Sequence, residues 1–506
     1  MLKGLFQRQL SASNTVSVSA LTALLLLFSL IAAPSARASS ALCVNARGNH
    51  GCYATIQAAI NSVSSSNSTI TVAPGTYTAA CAGPACSVAA IRADAPNGSA
   101  LTGLTLQCGN GFWRTVKLDA SRLDHAIYIS GVNGVTIEGC EAENAAREGI
   151  LAENANNIHI MNNEAENNDQ AMALTAGKGN PPCPSFLSPG TPGTGVIQCC
   201  PDAFAGGPGN FPEDNDDCGE AIHLRGVTSS VVERNSVHDN IGGILLSDET
   251  GPDHDNLVTN NNSSNNQEFG GDCGITLASH LACAAGSNDA TGCVLAPPVN
   301  GVFQGNGVFH NAVISNVTRR NGASGTGLFA NPGIPPGGAT KAFSNLIADN
   351  VIEDNGQPGV GIHVHAANGN ADNNVITGNV LSGNGGDTEG EGNPPPNTGI
   401  EVLSNGGFGS GFSPAAPIDG TGISRNNISD EDIDVWIGNT ATDASAFLNN
   451  LVGSGDIGVK NAGSGTVTAT DNWWGCSKGP GASGCSSASG TVISSPFLSF
   501  PASPMR

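Results

Sequence analysis

The chain has 506 residues and an acidic balance, 19 Lys and Arg against 42 Asp and Glu, for a net charge of −23. That sign repels phosphate backbones and excludes nucleic acid as the expected partner. It leaves neutral glycans, or acidic ones bridged by Ca²⁺.

In chain order, the first feature is an export signal. Lys3 and Arg8 give a positive start, Leu21 to Ala33 is a short apolar stretch, and Ala36-Arg37-Ala38 is an A-x-A cleavage site. Residues 1–38 therefore read as a signal peptide, and the rest as a secreted, extracytoplasmic, monomeric chain of net charge −26. No later stretch is long and apolar enough to cross a bilayer as a helix. All 15 cysteines follow the signal, which fits disulfide formation in an oxidising compartment. The spacings Cys43/Cys52, Cys81/Cys86 and Cys476/Cys485 suggest local bridges, although spacing alone does not fix pairing.

Next, Ile56, Ala59, Ile60 and Val63 fall at i, i+3, i+4, i+7, a short amphipathic helix suited to plug the end of a solenoid. Eleven segments then share a small residue, an apolar residue, any residue and usually another apolar residue. They begin at Ala126, Gly149, Ala171, Ala221, Gly243, Gly274, Gly327, Gly361, Gly399, Asp434 and Gly458. Uninterrupted spacings are 22 to 24 residues, as from Ile127 to Ile150, Ile150 to Met172, Ile222 to Ile244 and Val435 to Val459. A fixed period in that range marks a solenoid, and period-two alternation makes its units strands. A second strand follows many of the first, as in Val135-Thr136-Ile137 and Ile158-His159-Ile160. Asparagine pairs of the form N-x4-N recur, among them Asn163/Asn168, Asn235/Asn240, Asn316/Asn321 and Asn350/Asn355. Asparagine tolerates left-handed backbone and can stack as a hydrogen-bonded ladder. The expected layout is a cap and first coil over 39–100, a parallel β-helix over 101–475 and a C-terminal cap over 476–506. Phe497, Leu498 and Phe500 would cover the last coil, and insertions fall at 177–218 and 279–309.

Tyr53-Ala54-Thr55-Ile56-Gln57-Ala58-Ala59-Ile60 and Ile70-Thr71-Val72-Ala73-Pro74-Gly75-Thr76-Tyr77 resemble the opening of the pectin-lyase-like right-handed parallel β-helix superfamily. Asp471-Asn472-Trp473-Trp474-Gly475, with Gly479-Pro480 after it, is similar to a terminal signature of its secreted bacterial members. The resemblance implies an all-β right-handed parallel β-helix over nearly the whole chain after the signal. That superfamily holds lyases, polygalacturonases, epimerases, adhesins and non-catalytic members, so the fold does not select a function. The epimerase motif Tyr-Gly-Phe-Asp-Pro-His and the Asn-Thr-Asp, Gly-His-Gly and Arg-Ile-Lys motifs of polygalacturonases have no match in the sequence.

Alternation makes a prediction of its own. The residue after each inward apolar position points out, and stacked coils set these residues in a column about 4.8 Å apart. That column reads Tyr128, Leu151, Ala173, His223, Leu245, Thr276, Phe329, His363, Glu401, Trp436 and Lys460, with Arg225 and His365 alongside. An exposed rail of this kind suits a sugar chain, with Trp436, Phe329 and Tyr128 stacking and His365 and Lys460 bonding hydroxyls. Glu401 and Asp434 sit diagonally on adjacent coils, a placement open to inverting glycoside hydrolysis. His363 or His223 could instead serve as a lyase base, with Arg225 or Ca²⁺ neutralising a uronate. The acidic runs containing Asp216, Asp217, Asp253 and Asp255 are the expected Ca²⁺ ligands. The rival expectation is a non-catalytic surface or adhesion protein, because His, Glu and Lys are ordinary choices for any solenoid column.

Overall fold

The computed structural model describes residues 41–79, 87–109, 115–121, 123–168, 219–267, 272–286, 295–330, 338–365, 367–387, 395–404, 416–438, 441–453 and 456–502. Residues 1–38, read above as a signal peptide, together with Cys81, Cys86 and residues 177–218, lie outside them. Within them the chain winds as coils of three short strands. In one such coil His125–Ser130 is followed by Thr136–Glu138 and then Glu141–Glu143. Each strand pairs in parallel with its counterpart in the next coil, which builds sheets of 14, 12 and 11 strands among the described residues. This is a right-handed parallel β-helix, the hand that parallel crossovers take in nearly every known case.

Residues of one parity fill the coils. Ile127 and Ile129, Ile150 and Ala152, Ile222 and Leu224, then Ile244 and Leu246 stack as successive layers of one core. The helix Ile56–Asn61 closes the first coil as expected. The Thr55 side chain accepts from the backbone N–H of Ala58, and Ile56, Ala59 and Ile60 face the core. At the other end Trp474, fully buried, does the filling, while Phe497 and Phe500 are 38% and 69% exposed. Disulfides Cys43–Cys52 and Cys476–Cys485 form as the spacing suggested, and Cys108–Cys140 ties adjacent coils without any close spacing to announce it.

Ile150 pairs with Ile127 on one side and directly with Ile222 on the other, where a rung at Ala171–Leu174 was expected between them. Ala171–Leu174 itself lies outside the described residues.

The asparagine ladders form, with a refinement. In the longest, Asn163, Asn235, Asn261, Asn316, Asn350, Asn379, Asn426, Asn449 and Asn472 each accept on the side-chain oxygen from the coil before. Asn350, for example, accepts from the backbone N–H and the carboxamide of Asn316 at 2.8 and 3.1 Å, and its own carboxamide donates to Val313 O and Asn379 Oδ1. A second ladder runs Asn168, Asn240, Asn266, Asn321, Asn355, Asn384. A third runs Asn256, Asn311, Asn345, Asn374. The left-handed residue is the one before each ladder asparagine, as at Asn162, Asn260, Asp349 and Asp354, and not the ladder residue itself. Replacing Asn350 by Ala would strand buried partners on both neighbouring coils and should cost about 3 kcal/mol. A denaturation midpoint within error of the parent would contradict that role.

Candidate functional site

The column expected on the outer wall of the 12-stranded sheet exists, but its register slips. Tyr128, Leu151, His223, Leu245 and Thr276 are successive rung partners. Thr276 then pairs with Gly327, Gly327 with Gly361, and Gly361 with Glu401, before Trp436 and Lys460 resume the expected order. Phe329 and His363 stand one column over, in line with Ala278 and Leu403. The two glycines offset this slip. A methyl group added at Gly327 would stand 2.3 Å from the Phe329 ring, and one at Gly361 would stand 3.3 Å from His363 Nε2. Both rings therefore lean back over the glycines into the column they were expected to occupy.

The wall is not an exposed rail. Tyr128, Leu151, His223, Leu245, Thr276, His363, Glu401 and Trp436 are all buried, and so are Arg225, His365 and Asp434. They nonetheless lie outside the hydrophobic core that fills the coils. Phe329 and Lys460 are half-buried. The alternation was read correctly; the inference from outward to exposed was not.

Two clusters of charge sit on this wall. In the first, Glu148 meets His125 Nδ1 at 2.8 Å and His223 Nδ1 at 3.5 Å, and His223 Nε2 lies 2.7 Å from Ser247 Oγ. The Ser247 hydroxyl donates to Glu249, which His280 Nδ1 approaches at 3.0 Å. Burial alone would raise the Glu148 carboxyl, but Arg147 and His125 outweigh it and hold the group well below the usual range. Burial lowers His223, with Glu148 opposing. Arg225 is committed to Glu153 at 2.7 Å, and the Tyr128 hydroxyl donates to the same carboxylate. A serine, a histidine and a glutamate in sequence suggest a nucleophilic triad. Here Ser247, His223 and Glu148 are fully buried and Glu249 competes for the hydroxyl, so the arrangement braces neighbouring coils and does not present a nucleophile.

The second cluster gathers His363, His365, Asp387, Glu401, Asp434 and Trp436. A ring nitrogen of His363 and one oxygen each of Asp387 and Glu401 lie within 4.8 Å of one another. The His365 ring is 5.4 Å from that of His363, and Phe329 packs edge-on against His363 at 5.6 Å. Lys460 Nζ sits 3.2 Å from the Trp436 ring centroid, so one face of that indole is already occupied. Asp434 is fully buried, and neither of its oxygens has a hydrogen-bond partner among the described residues. Burial, with Glu431 and Asp456 adding repulsion, pushes its carboxyl well above the usual range. Glu431 takes the place of an asparagine at the end of the second ladder, its Oε1 accepting from Asn384 N and Nδ2 at 3.1 and 2.9 Å. Burial pushes this group up to about 8.

Two of the four residues expected to bind Ca²⁺ are described. Asp216 and Asp217 lie outside the described residues. Asp253 is buried and spent on Val227 N and Asn256 Nδ2, whereas Asp255 is exposed beside His254. What sequence reasoning missed is an aromatic stack on a short three-stranded sheet. His254, Phe309 and Phe343 face one another at 4.9 and 5.1 Å between ring centres. A ring two residues before a ladder asparagine, in His254-Asp255-Asn256, Phe309-His310-Asn311 and Phe343-Ser344-Asn345, could have pointed to it. Stacked face to face, these rings offer solvent their edges, which suits packing better than sugar stacking.

Three sheets wound coil upon coil define the class, a right-handed parallel β-helix. The sequence matches no family profile and no curated protein. Similar solved structures include the A-module of the mannuronan C-5 epimerase AlgE4 of Azotobacter vinelandii, at 14% identity and TM-score 0.41. That match covers 81% of this chain and 92% of the other. An alginate lyase of Paenibacillus sp. str. FPU-7 is similar at 12% identity and TM-score 0.36, covering 86% and 95%. A GH87 α-1,3-glucanase catalytic unit of Streptomyces thermodiastaticus is similar at 12% and 0.41, covering 92% and 70%. None of these likenesses bears on activity, and the fold rests on the chain's own sheets.

Two outcomes follow from the buried charges. Glu431 is raised on folding, so its contribution to stability is full below about pH 4.5 and is lost as pH rises through about 8. Glu431→Gln keeps the ladder acceptor without the charge, so its melting temperature should exceed the parent's increasingly from pH 5 to pH 9; a constant gap would contradict the assignment. Glu153→Ala should cost about 3–5 kcal/mol by leaving Arg225 buried without its carboxylate. Denaturant unfolding of the two proteins measures that difference.

Proposed function

We propose that this chain is a secreted, monomeric protein that binds an extended polysaccharide along the outer wall of the 12-stranded sheet and cleaves it by acid–base chemistry at Asp434 and Glu401. The observation that carries this reading is Asp434, a buried carboxyl with no hydrogen-bond partner among the described residues and pushed well above the usual range, one rung from Glu401 on the adjacent column. Glycoside hydrolysis needs one acid to protonate the leaving oxygen and a second carboxylate to activate water or attack. Asp434 supplies the first proton and Glu401 takes the second role. Trp436 and Lys460 flank the pair on the same column and would orient the sugar.

Hydrolysis is favoured over elimination because the cation a lyase would use against a uronate, Arg225, is already paired with Glu153. Burial sets a condition, since the wall has to open to admit a sugar. The same burial favours the rival reading, a non-catalytic surface protein whose wall charges only brace the coils.

The experiment is to offer the purified chain neutral and uronate glycans and follow both new reducing ends and ultraviolet-absorbing unsaturated products. The expected result is reducing ends without unsaturation, falling about 10²–10⁴-fold in Asp434→Asn and in Glu401→Gln. Unsaturated products would replace hydrolysis by elimination. Equal activity in both variants, or glycan binding with no product, would remove the catalytic reading.

A further inference from the structure

His363, Asp387 and Glu401 reach one point from three places in the chain. His363 comes from the strand Val360–Val364, Glu401 from the next rung, Thr398–Ser404, and Asp387 from the turn that follows the ladder residue Asn384. Their donor atoms lie within 4.8 Å of one another, and the side chains are 4%, 1% and 0% exposed. His363 Nε2 and Asp387 Oδ2 are 3.5 Å apart. A charge-assisted N–H···O bond would bring them to about 2.7–2.9 Å. Two donors each about 2.1 Å from a shared ion, at tetrahedral to octahedral angles, stand about 3.0–3.4 Å from each other.

The approach depends on a residue that is not a ligand. Gly361 is the rung partner of Glu401, and its missing side chain is what lets the His363 imidazole lean toward that carboxylate. In a comparable buried trio, Glu148, Glu220 and His223, Arg147 and His125 bring positive charge to the shared carboxylate, at 3.8 and 2.8 Å.

We infer that His363, Asp387 and Glu401 form a binding site for one divalent transition-metal ion of the zinc class. One imidazole and two carboxylates are a borderline donor set that suits Zn²⁺ or its first-row neighbours, whereas Ca²⁺ requires six to eight oxygens. Three protein ligands leave a fourth position open, as in catalytic zinc sites and unlike closed structural ones. The site shares Glu401 with the glycan reading, but its occupancy is read without any sugar.

The test titrates the full chain, freed of metal by a chelator, with Co²⁺ as a visible-absorbing probe, followed by Zn²⁺ and, in a separate arm, Ca²⁺. The expected result is one equivalent of Co²⁺ with a ligand-field band, displaced by Zn²⁺ and untouched by equimolar Ca²⁺. His363→Ala, Asp387→Asn and Glu401→Gln should each weaken binding about 100-fold or more, and Gly361→Ala, which keeps every ligand, about 10-fold. Circular dichroism identifies any variant that fails to fold, and Asp387→Asn and Gly361→Ala change the wall least. Asp434→Asn should bind metal as the parent does even where it loses activity, which separates failure of this site from failure of the glycan reading. Absence of stoichiometric binding, binding retained in the ligand variants, or displacement by equimolar Ca²⁺ would overturn the inference.

Discussion

A buried asparagine carboxamide, accepting from one coil and donating to the next, is the interaction on which the rest of this chain depends. Each coil is too small to bury its own apolar face, so the coils must lie in register before any core exists. The parallel sheets supply backbone bonds, but a shift of two residues would keep every side chain on its own face. The carboxamides add a corner that does not slip, because a displaced rung would leave both a donor and an acceptor buried and unmatched. That corner also requires a left-handed residue immediately before it, a position filled by residues as ill suited as Arg234, Arg320 and Leu448. The ladder holds them there.

With the corners fixed, the outer wall is a scaffold on which charge can be placed out of contact with water. The two clusters handle that charge in opposite ways. Around Glu148 and Glu153 it is balanced by arginines and histidines. Around Asp434 and Glu431 loss of solvation and repulsion among carboxyls favour the proton instead. The second arrangement sets a raised carboxyl one rung from Glu401, and for that reason the functional reading is placed there.

Much of this was legible from residues alone. The strands, the inward residues, the helix Ile56–Asn61 and two of the ladders follow from period two, the i, i+3, i+4, i+7 stripe and N-x4-N. A third ladder was also present in the sequence as N-x4-N-x4-N, at Asn256, Asn261 and Asn266 and again at Asn311, Asn316 and Asn321. The column failed at Phe329 and His363 because two phases fit equally well: Leu328 faces the core whether it is matched to Ile275 or to Leu277, and only the coordinates show the latter. Burial of the wall was illegible for a different reason. Pattern reveals which face a side chain takes, and it carries no information about what the rest of a long chain lays over that face.

The direct pairing of Ile150–Glu153 with Glu220–Arg225 has a consequence for how such a chain can change. A methyl group added at Gly149 would touch both the Asn168 carboxamide and the Ala221 carbonyl, so the helix resumes beside the point where it paused. Nothing in the stack counts the residues between 168 and 219, and closing a longer excursion costs only a logarithm of its length. An ancestral gene could lengthen, shorten or exchange that passage without disturbing the pairing of these two strands. New loops can therefore be trialled against an invariant wall, and diversity in this architecture should accumulate at such seams.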